Sequence, residues 1–342
     1  MASQYAKDQP QGYNNYLKNI AIIGGTGQSG KWMVEALLKN GKHNITAVIR
    51  EGSSTDVPAG VTVKTVDYAK PDSIVSALQG QDCLIITLGV FAPPDTHSKL
   101  VKAAADAKVP WILPNDWGYA LSEDVGKEIM NGPVKVKEHK YIEEVGASWL
   151  SLGCGFWFEF SLGGGTDRYG FDIPKRQVLW FDDGEQRINS TTFPQIGRAV
   201  ASLLSLKILP DNENDQSPSL DQYRNNYFRV SSFTVNQKEM FEALKRATGT
   251  KDSDWTFSSK PAKEIYAEGL KRVQSGDRAG FGQLLYSRMF FPDHPGLMEA
   301  SYKLDNDVLG LPKEDLDEFG KKAVEIATGD YFEKQYGQFM KK

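Results

Sequence analysis

Ile22-Ile23-Gly24-Gly25-Thr26-Gly27-Gln28-Ser29-Gly30 decides how the first half of the chain is read. The stretch holds G-x-G-x-x-G on Gly25, Gly27 and Gly30, and also G-x-x-G-x-x-G on Gly24, Gly27 and Gly30. It lies between an apolar run, Lys18 to Gly24, and a segment with helical spacing, Ser29 to Asn40, that closes on Gly41. Early glycines permit a tight turn, the middle one lets a pyrophosphate approach the backbone, and the last lets helix and strand pack closely. Phosphates then meet free N–H groups and the positive helix end. Gly24, Gly25, Thr26, Gly27, Gln28, Ser29 and Gly30 are therefore expected to form a dinucleotide site.

Outward from this turn, strand-like and helix-like segments alternate. Asn44 to Arg50, Val61 to Asp67, Asp82 to Leu88, Trp111 to Pro114 and Trp149 to Cys154 read as strands. Pro71 to Gly80, Thr96 to Ala107 and Pro133 to Gly146 read as the helices between them. Parallel neighbours need crossovers over the sheet face, and strands apolar throughout are covered on both faces. The fold class is α/β, a doubly wound parallel-sheet domain with a smaller, mostly helical C-terminal lobe. The expected boundaries are a flexible polar leader over 1–17, the nucleotide-binding domain over 18–155 and a substrate lobe over 156–342. Segments such as 190–235 are expected to return to the first domain.

In the second half, Phe156 to Phe181 reads as loop, dense in glycine and aromatic residues, and Phe193 to Leu206 as helix. Pro210 to Asn226 is a polar surface loop. Thr234 to Gly249 is a helix with Thr234 or Asn236 as N-cap, and the part beyond Lys260 is mostly helical.

The second strand ends in Arg50, followed by Glu51-Gly52-Ser53-Ser54. An NAD site places an acidic residue near here for the ribose 2′-hydroxyl, whereas a guanidinium suits a 2′-phosphate. Arg50 favours NADP(H), with Glu51 as the competing contact. Asp67 could reach an adenine amino group or cap the turn that follows it. Leu88-Gly89-Val90 would let the backbone run beside the cofactor.

The chain of 342 residues carries 40 Lys+Arg against 44 Asp+Glu, a balance that argues against a nucleic-acid binder. Two cysteines, Cys83 and Cys154, make neither a disulfide scaffold nor a four-cysteine zinc site, and four dispersed histidines suggest no metal. No stretch approaches the ~18 uninterrupted apolar residues of a membrane span, and no secretory leader is visible. A cytoplasmic protein with reduced thiols is expected. No tyrosine has lysine four residues on, and G-x-S-x-G and H-E-x-x-H are absent.

Several segments together resemble the NmrA-like and isoflavone reductase-like families, the atypical short-chain dehydrogenases. They are the glycine turn, V-I-R-E after the second strand, V-D-Y-A-K-P-D-S-I-V-S-A-L after the third, and I-L-P-N-D-W-G at Ile112 to Gly118. Further on come the segment from Lys135 to Trp149, Q-I-G-R-A-V-A at Gln195 to Ala201 and F-T-V-N-Q-K-E-M. The likeness runs from about residue 18 to about 260. It implies a Rossmann domain binding NADP(H), and in the reductases a catalytic lysine eight residues before the glutamate of an I-E pair. That spacing falls on Lys135, with Lys137 as the fallback and a solvated helix face as the plain alternative. A lysine beside a cationic nicotinamide and an apolar wall could relay a proton or hydrogen-bond a substrate oxygen.

The motif Asn115-Asp116-Trp117-Gly118 departs from the Pro-Ser-Glu-Phe-Gly-like pattern of those reductases. His97 stands where they tend to carry glutamine and is expected on a helix surface. Asn115, Trp117, Phe156, Trp157 and Phe158 are expected to line a pocket for a flat aromatic or polyketide-like substrate. Core packing would explain most of the aromatic cluster equally well. The resemblance implies a small-molecule reductase or, as the alternative, an NADP(H)-sensing regulator that binds a protein partner without turnover. A homodimer is compatible with either.

Overall fold

Ile20 to Ile23 and Cys83 to Ile86 are buried at every position, so neither run has a polar face to show to water. Such runs become the centre of a sheet covered on both sides. The computed structural model describes residues 5–53, 56–89, 91–130 and 132–334. Ser54, Val90 and the first four residues of the expected leader lie outside the described residues.

The first half runs β1 (Asn19–Ile23), α1 (Gly30–Asn40), β2 (Asn44–Arg50), β3 (Val61–Val66), α2 (Pro71–Leu78), β4 (Cys83–Ile86) and α3 (Thr96–Asp106). It continues through β5 (Trp111–Leu113), β6 (Trp117–Gly118), α4 (Glu123–Glu128), α5 (Gly132–Glu144) and β7 (Ser148–Gly153). The second half holds β8 (Phe156–Trp157), α6 (Phe158–Leu162), β9 (Phe171–Asp172), β10 (Gln177–Phe181), β11 (Ile188–Thr191) and α7 (Phe193–Leu204). After these come β12 (Asn226–Arg229), β13 (Phe233–Val235), α8 (Gln237–Thr248), β14 (Thr256–Lys260), α9 (Ala262–Gln274), α10 (Gly280–Met289) and α11 (Leu316–Thr328).

The main sheet has the order β12-β7-β5-β4-β1-β2-β3, every pairing parallel, with β6 added beside β7. The order reverses between β1 and β4, which opens a crevice beyond their carboxyl ends. This is the Rossmann arrangement. β12 enters it from the second half, beside β7.

The second half also holds two small sheets, β14-β10-β9 and β13-β11-β8. Phe156 to Phe181 is thus not a loop but two short strands, a helical turn and the five-residue β10. Its strands pair with partners far away in sequence, β8 with β11 and β10 with β14, and local periodicity cannot show such pairing. For the same reason β14 gives no local signal; it ends at Lys260, and the elements beyond it are the helices α9, α10 and α11 with a short 3-10 turn. The helix expected from Thr234 starts later, because Thr234 belongs to β13. Asn236 caps α8, its side chain accepting from the Glu239 N–H at 2.9 Å while Glu239 accepts from the Asn236 N–H at 3.1 Å.

Residues 5–17, read as a flexible leader, are pinned across the chain. The Ala6 N–H donates to the Pro210 carbonyl at 2.9 Å, Tyr16 bridges to Lys207, and Leu17 is buried in the core under α1 and α7. Among the described residues no helix is long and apolar enough to cross a membrane.

Candidate active site

The glycine turn joins β1 to α1 at the reversal point of the sheet. Gly24 has φ +75°, and a Cβ there would fall 1.9 Å from the Thr87 carbonyl oxygen at the end of β4. A Cβ on Gly30 would fall 2.2 Å from the Gly24 carbonyl oxygen, so only glycine lets α1 begin so close to the strand. Gly25 lies tight against Ile22 and Val34. These three glycines are required by packing alone. Gly27 differs: it is exposed, and among the described residues the sole atom within reach of its would-be Cβ is the Gly24 carbonyl oxygen at 3.1 Å.

Above the start of α1 lies a cavity of about 680 Å³, lined by Gly27, Gln28, Ser29, Arg50, Thr87, Leu88 and Gly89 among others. The first turn of α1 carries no acidic residue, so the helix end presents its positive pole unopposed. Arg50, at the end of β2, is exposed on the cavity wall with no ion-pair partner among the described residues. Glu51, its rival, does not line the cavity. Thr26 belongs to the turn but does not line it either.

Asp67 points back onto its own turn. Its Oδ1 accepts from the Ala69 N–H at 2.9 Å and its carboxylate pairs with Lys70 at 3.2 Å, contacts that hold its pKa below the ordinary value. Of the two expectations for Asp67, the turn cap is the one these contacts form, and Asp67 does not line the cavity. Tyr68, which the sequence reading passed over, lines the cavity in its place.

A second cavity of about 310 Å³ adjoins the first, sharing Ser29, Leu88 and Trp157 with it. Asn115, Trp117, Tyr119, Phe156, Phe160 and Tyr286 contribute to its wall. Asn115 Oδ1 accepts from the Leu88 N–H at 2.9 Å, and the Trp117 indole donates to the Ile86 carbonyl at 2.9 Å. Both residues of the N-D-W-G motif thus fix the end of β4. Phe156 stacks on Tyr286 at 3.9 Å, and Tyr119 meets Phe156 edge-on at 5.0 Å.

Phe158, expected in this pocket, lines neither cavity. As the first residue of α6 it turns inward, fully buried against Phe233 at 4.8 Å. Tyr286 and Leu285 of α10 reach the pocket from more than a hundred residues away, and nothing in the local sequence marks them. Of the glycine triplet, Gly163 packs against the Ala323 carbonyl and Gly164 against the Arg168 side chain, which lies over Phe160 at 3.8 Å.

Of the three lysines on α5, only Lys135 turns inward, to the wall of the second cavity; Lys137 and Lys140 are exposed. α5 is brought close by a Gly126–Gly132 crossing, where a Cβ on either residue would fall under 3 Å from the other's Cα. Lys135 Nζ forms an ion pair with Asp116 Oδ1. Asp116 is 2% exposed; its Oδ2 accepts from the Tyr227 hydroxyl at 2.6 Å and lies 3.4 Å from His139 Nε2. Burial disfavours the Asp116 carboxylate, but the Lys135 charge and the His139 and Tyr227 donors overrule it and hold the pKa at about 2. The sequence reading singled out Lys135 but saw no anion beside it. A buried carboxylate thus stands beside the one lysine of α5 that faces the cavity.

His139 stacks on Trp149 at 3.8 Å and meets Ser151 Oγ at 2.9 Å. His97 is not on the surface: it is 5% exposed, with Nδ1 3.4 Å from Glu138 Oε1. Burial and the neighbouring His139 take its pKa down to about 4, and burial and Asp116 push Glu138 up to about 7.

Residues 17–160 match the model of the NmrA-like family. The chain is similar to the oxidoreductase aprR of Aspergillus flavus, with 23% identity over 307 residues, covering 87% of this chain and 96% of that protein. Its fold is shared with an isoflavone reductase (TM-score 0.67, 18% identity, 90% of this chain and 99% of the other). It is shared equally with AtPrR2, solved with NADP+ and (+)pinoresinol (TM-score 0.68, 17% identity, 90% and 99% coverage). Over residues 17–160 this chain is therefore similar to the NmrA-like family, and over nine-tenths of its length it shares the fold of the isoflavone reductase.

Proposed function

We propose that this chain is an NADPH-dependent oxidoreductase, an atypical short-chain dehydrogenase/reductase that reduces an aromatic or polyketide-like small molecule. The observation that carries the proposal is the adjacency of the two cavities. A phosphate-type cleft with a guanidinium in its wall shares Ser29, Leu88 and Trp157 with an aromatic chamber that has an ion-paired lysine in its wall. The A. flavus relative is described as an oxidoreductase, and AtPrR2 was solved with NADP+, which supports the same reading.

The residues fit the cofactor. Gly27 leaves room for a pyrophosphate over the start of α1, and the uncovered Arg50 suits a 2′-phosphate. Leu88 and Gly89 continue the wall toward the second cavity. When bound, the reduced dinucleotide supplies hydride. Lys135 supplies the complementary proton, or a hydrogen bond, to the oxygen of a carbonyl, enone or benzylic ether. Asp116 holds its ammonium in place, and Trp117, Phe156, Trp157 and Phe160 exclude water and orient a flat substrate.

The test is titration of the purified chain with NADPH and NADP+, followed by loss of NADPH absorbance against a panel of aromatic ketones, enones and lignan-like ethers. Turnover that disappears in Lys135→Ala is the expected result. Dinucleotide binding without turnover on any member, together with capture of a transcription factor, would replace it with the NADP(H)-sensing reading.

A further inference from the structure

Lys135 stands in a partition between two spaces. On one side is the aromatic chamber; on the other is a smaller cavity of about 120 Å³. Tyr119, Leu121, Ile129 and Lys135 line both, and the Tyr119 hydroxyl is tied to the Asn189 carbonyl at 2.6 Å, so the partition is fixed. The small cavity is polar at its inner end, where His139 and Tyr227 line it. Its rim holds Ser122, Glu123 and Val136, all exposed, so it opens to solvent away from the aromatic chamber. It has room and polar partners for a few waters.

We propose that this cavity is a rear proton entrance to Lys135, separate from the path taken by substrate. The inference rests on the reading of Lys135 as proton donor. As Lys135 gives its proton to a substrate oxygen that becomes a hydroxyl, two electrons arrive with the hydride of the reduced dinucleotide. The side chain is left as a neutral amine beside the Asp116 carboxylate. One proton from bulk water must then return to Nζ, forming the N–H bond and restoring the ion pair, before another turnover. A filled front chamber blocks the substrate side at that moment; the rear cavity does not depend on product leaving.

The charged and titratable groups around the route agree with this use. Asp116 faces Lys135 directly and stays anionic, which favours return of the proton. His139 and the Tyr227 hydroxyl contact the other Asp116 oxygen. Glu123 at the rim pairs with Lys127 at 2.8 Å, and the Glu138–His97 pair is not part of the cavity wall.

Val136 and Glu123 are rim positions whose side chains are largely in water, so enlarging them closes the mouth without loading the core. The experiment compares wild type with Val136→Trp and Glu123→Trp, each saturated with NADP+. Proton exchange at Lys135 Nζ is read by NMR with labelled lysine, and NADPH oxidation is read in single and multiple turnovers. The expected result is exchange slowed at least about tenfold in both variants, an unchanged first turnover and slower later ones. Either variant alone carries the test if the other does not fold. Unchanged exchange in a folded variant overturns the entrance. Slowed exchange in a chain that turns over no substrate upholds the entrance and removes the reductase reading instead.

Discussion

The Lys135 ammonium and the Asp116 carboxylate form an ion pair across the junction of α5 and the turn after β5, with the acid side chain 1% exposed and the lysine 19%. The pair is asymmetric. Asp116 is sealed in and also held by Tyr227 and His139, whereas Lys135 keeps one face on the aromatic chamber. Taking away the lysine would therefore do two things at once: it would remove the proton donor of the proposed function and strand a buried anion.

Those two effects can be separated. Lys135→Met is expected to lower kcat by about 10²-fold or more and to cost roughly 3 kcal/mol of stability in urea unfolding. The double variant Lys135→Met, Asp116→Asn should recover most of the stability and none of the turnover. Recovery of turnover in the double variant would show that Lys135 only neutralises Asp116.

In the proposed function Arg50 is the residue that would discriminate between dinucleotides. Arg50→Ala is expected to weaken NADPH binding by about 1.5–3 kcal/mol, the worth of a charge-assisted contact, and to leave NADH nearly unchanged. Because Arg50 is exposed, the NADPH preference should also shrink as salt is raised. Equal losses for the two dinucleotides by calorimetry would exclude a 2′-phosphate contact.

How much of this was legible in the sequence follows from the range of the interactions. The glycine turn, Arg50 and the parallel strands are local patterns, and the sheet order grows from them by short crossovers. Lys135 was singled out by the spacing that the family resemblance implies. Asp116 could have been suspected, since it sits inside the N-D-W-G departure, but its partners come from α5 and from β12, the latter 111 residues away. Phe158 went wrong because a run of aromatics changes from strand to helix at its own position, reversing which side faces the pocket. Tyr286 and Leu285 carry no local signal. His97 looked like a surface residue because its helix was judged without α5 lying against it.

Two glycines of the turn should separate packing from ligand binding. Gly30→Ala places a methyl 2.2 Å from a backbone oxygen, so α1 must shift, and stability is expected to fall by about 1–3 kcal/mol with dinucleotide binding lost as well. Gly27→Ala meets one atom at 3.1 Å and should fold nearly as well as wild type. If a pyrophosphate lies over that residue, its added methyl still costs affinity. Thermal melts with and without NADP+ measure both; a Gly27→Ala chain that gains as much from NADP+ as wild type would place the phosphates elsewhere.

Glu159 sets a pH dependence that has nothing to do with catalysis. It is 4% exposed on α6, accepts the Phe193 N–H at 3.1 Å at the start of α7, and lies near Glu314. Burial, with Glu314 adding to it, raises its pKa from the ordinary 4.5 to about 7, the N–H donors opposing. Between those values the folded chain holds a proton that the unfolded chain has released, so this group's contribution to stability falls as pH rises from about 4.5 to about 7 and then levels off. Glu159→Gln keeps an acceptor for Phe193 but cannot ionise. Its unfolding free energy should therefore rise relative to wild type by on the order of a few kcal/mol over that interval. Groups common to both chains, Glu138 included, cancel in the difference. Urea midpoints at a series of pH values provide the measurement, and a difference independent of pH would mean that Glu159 is ionised in the folded protein throughout.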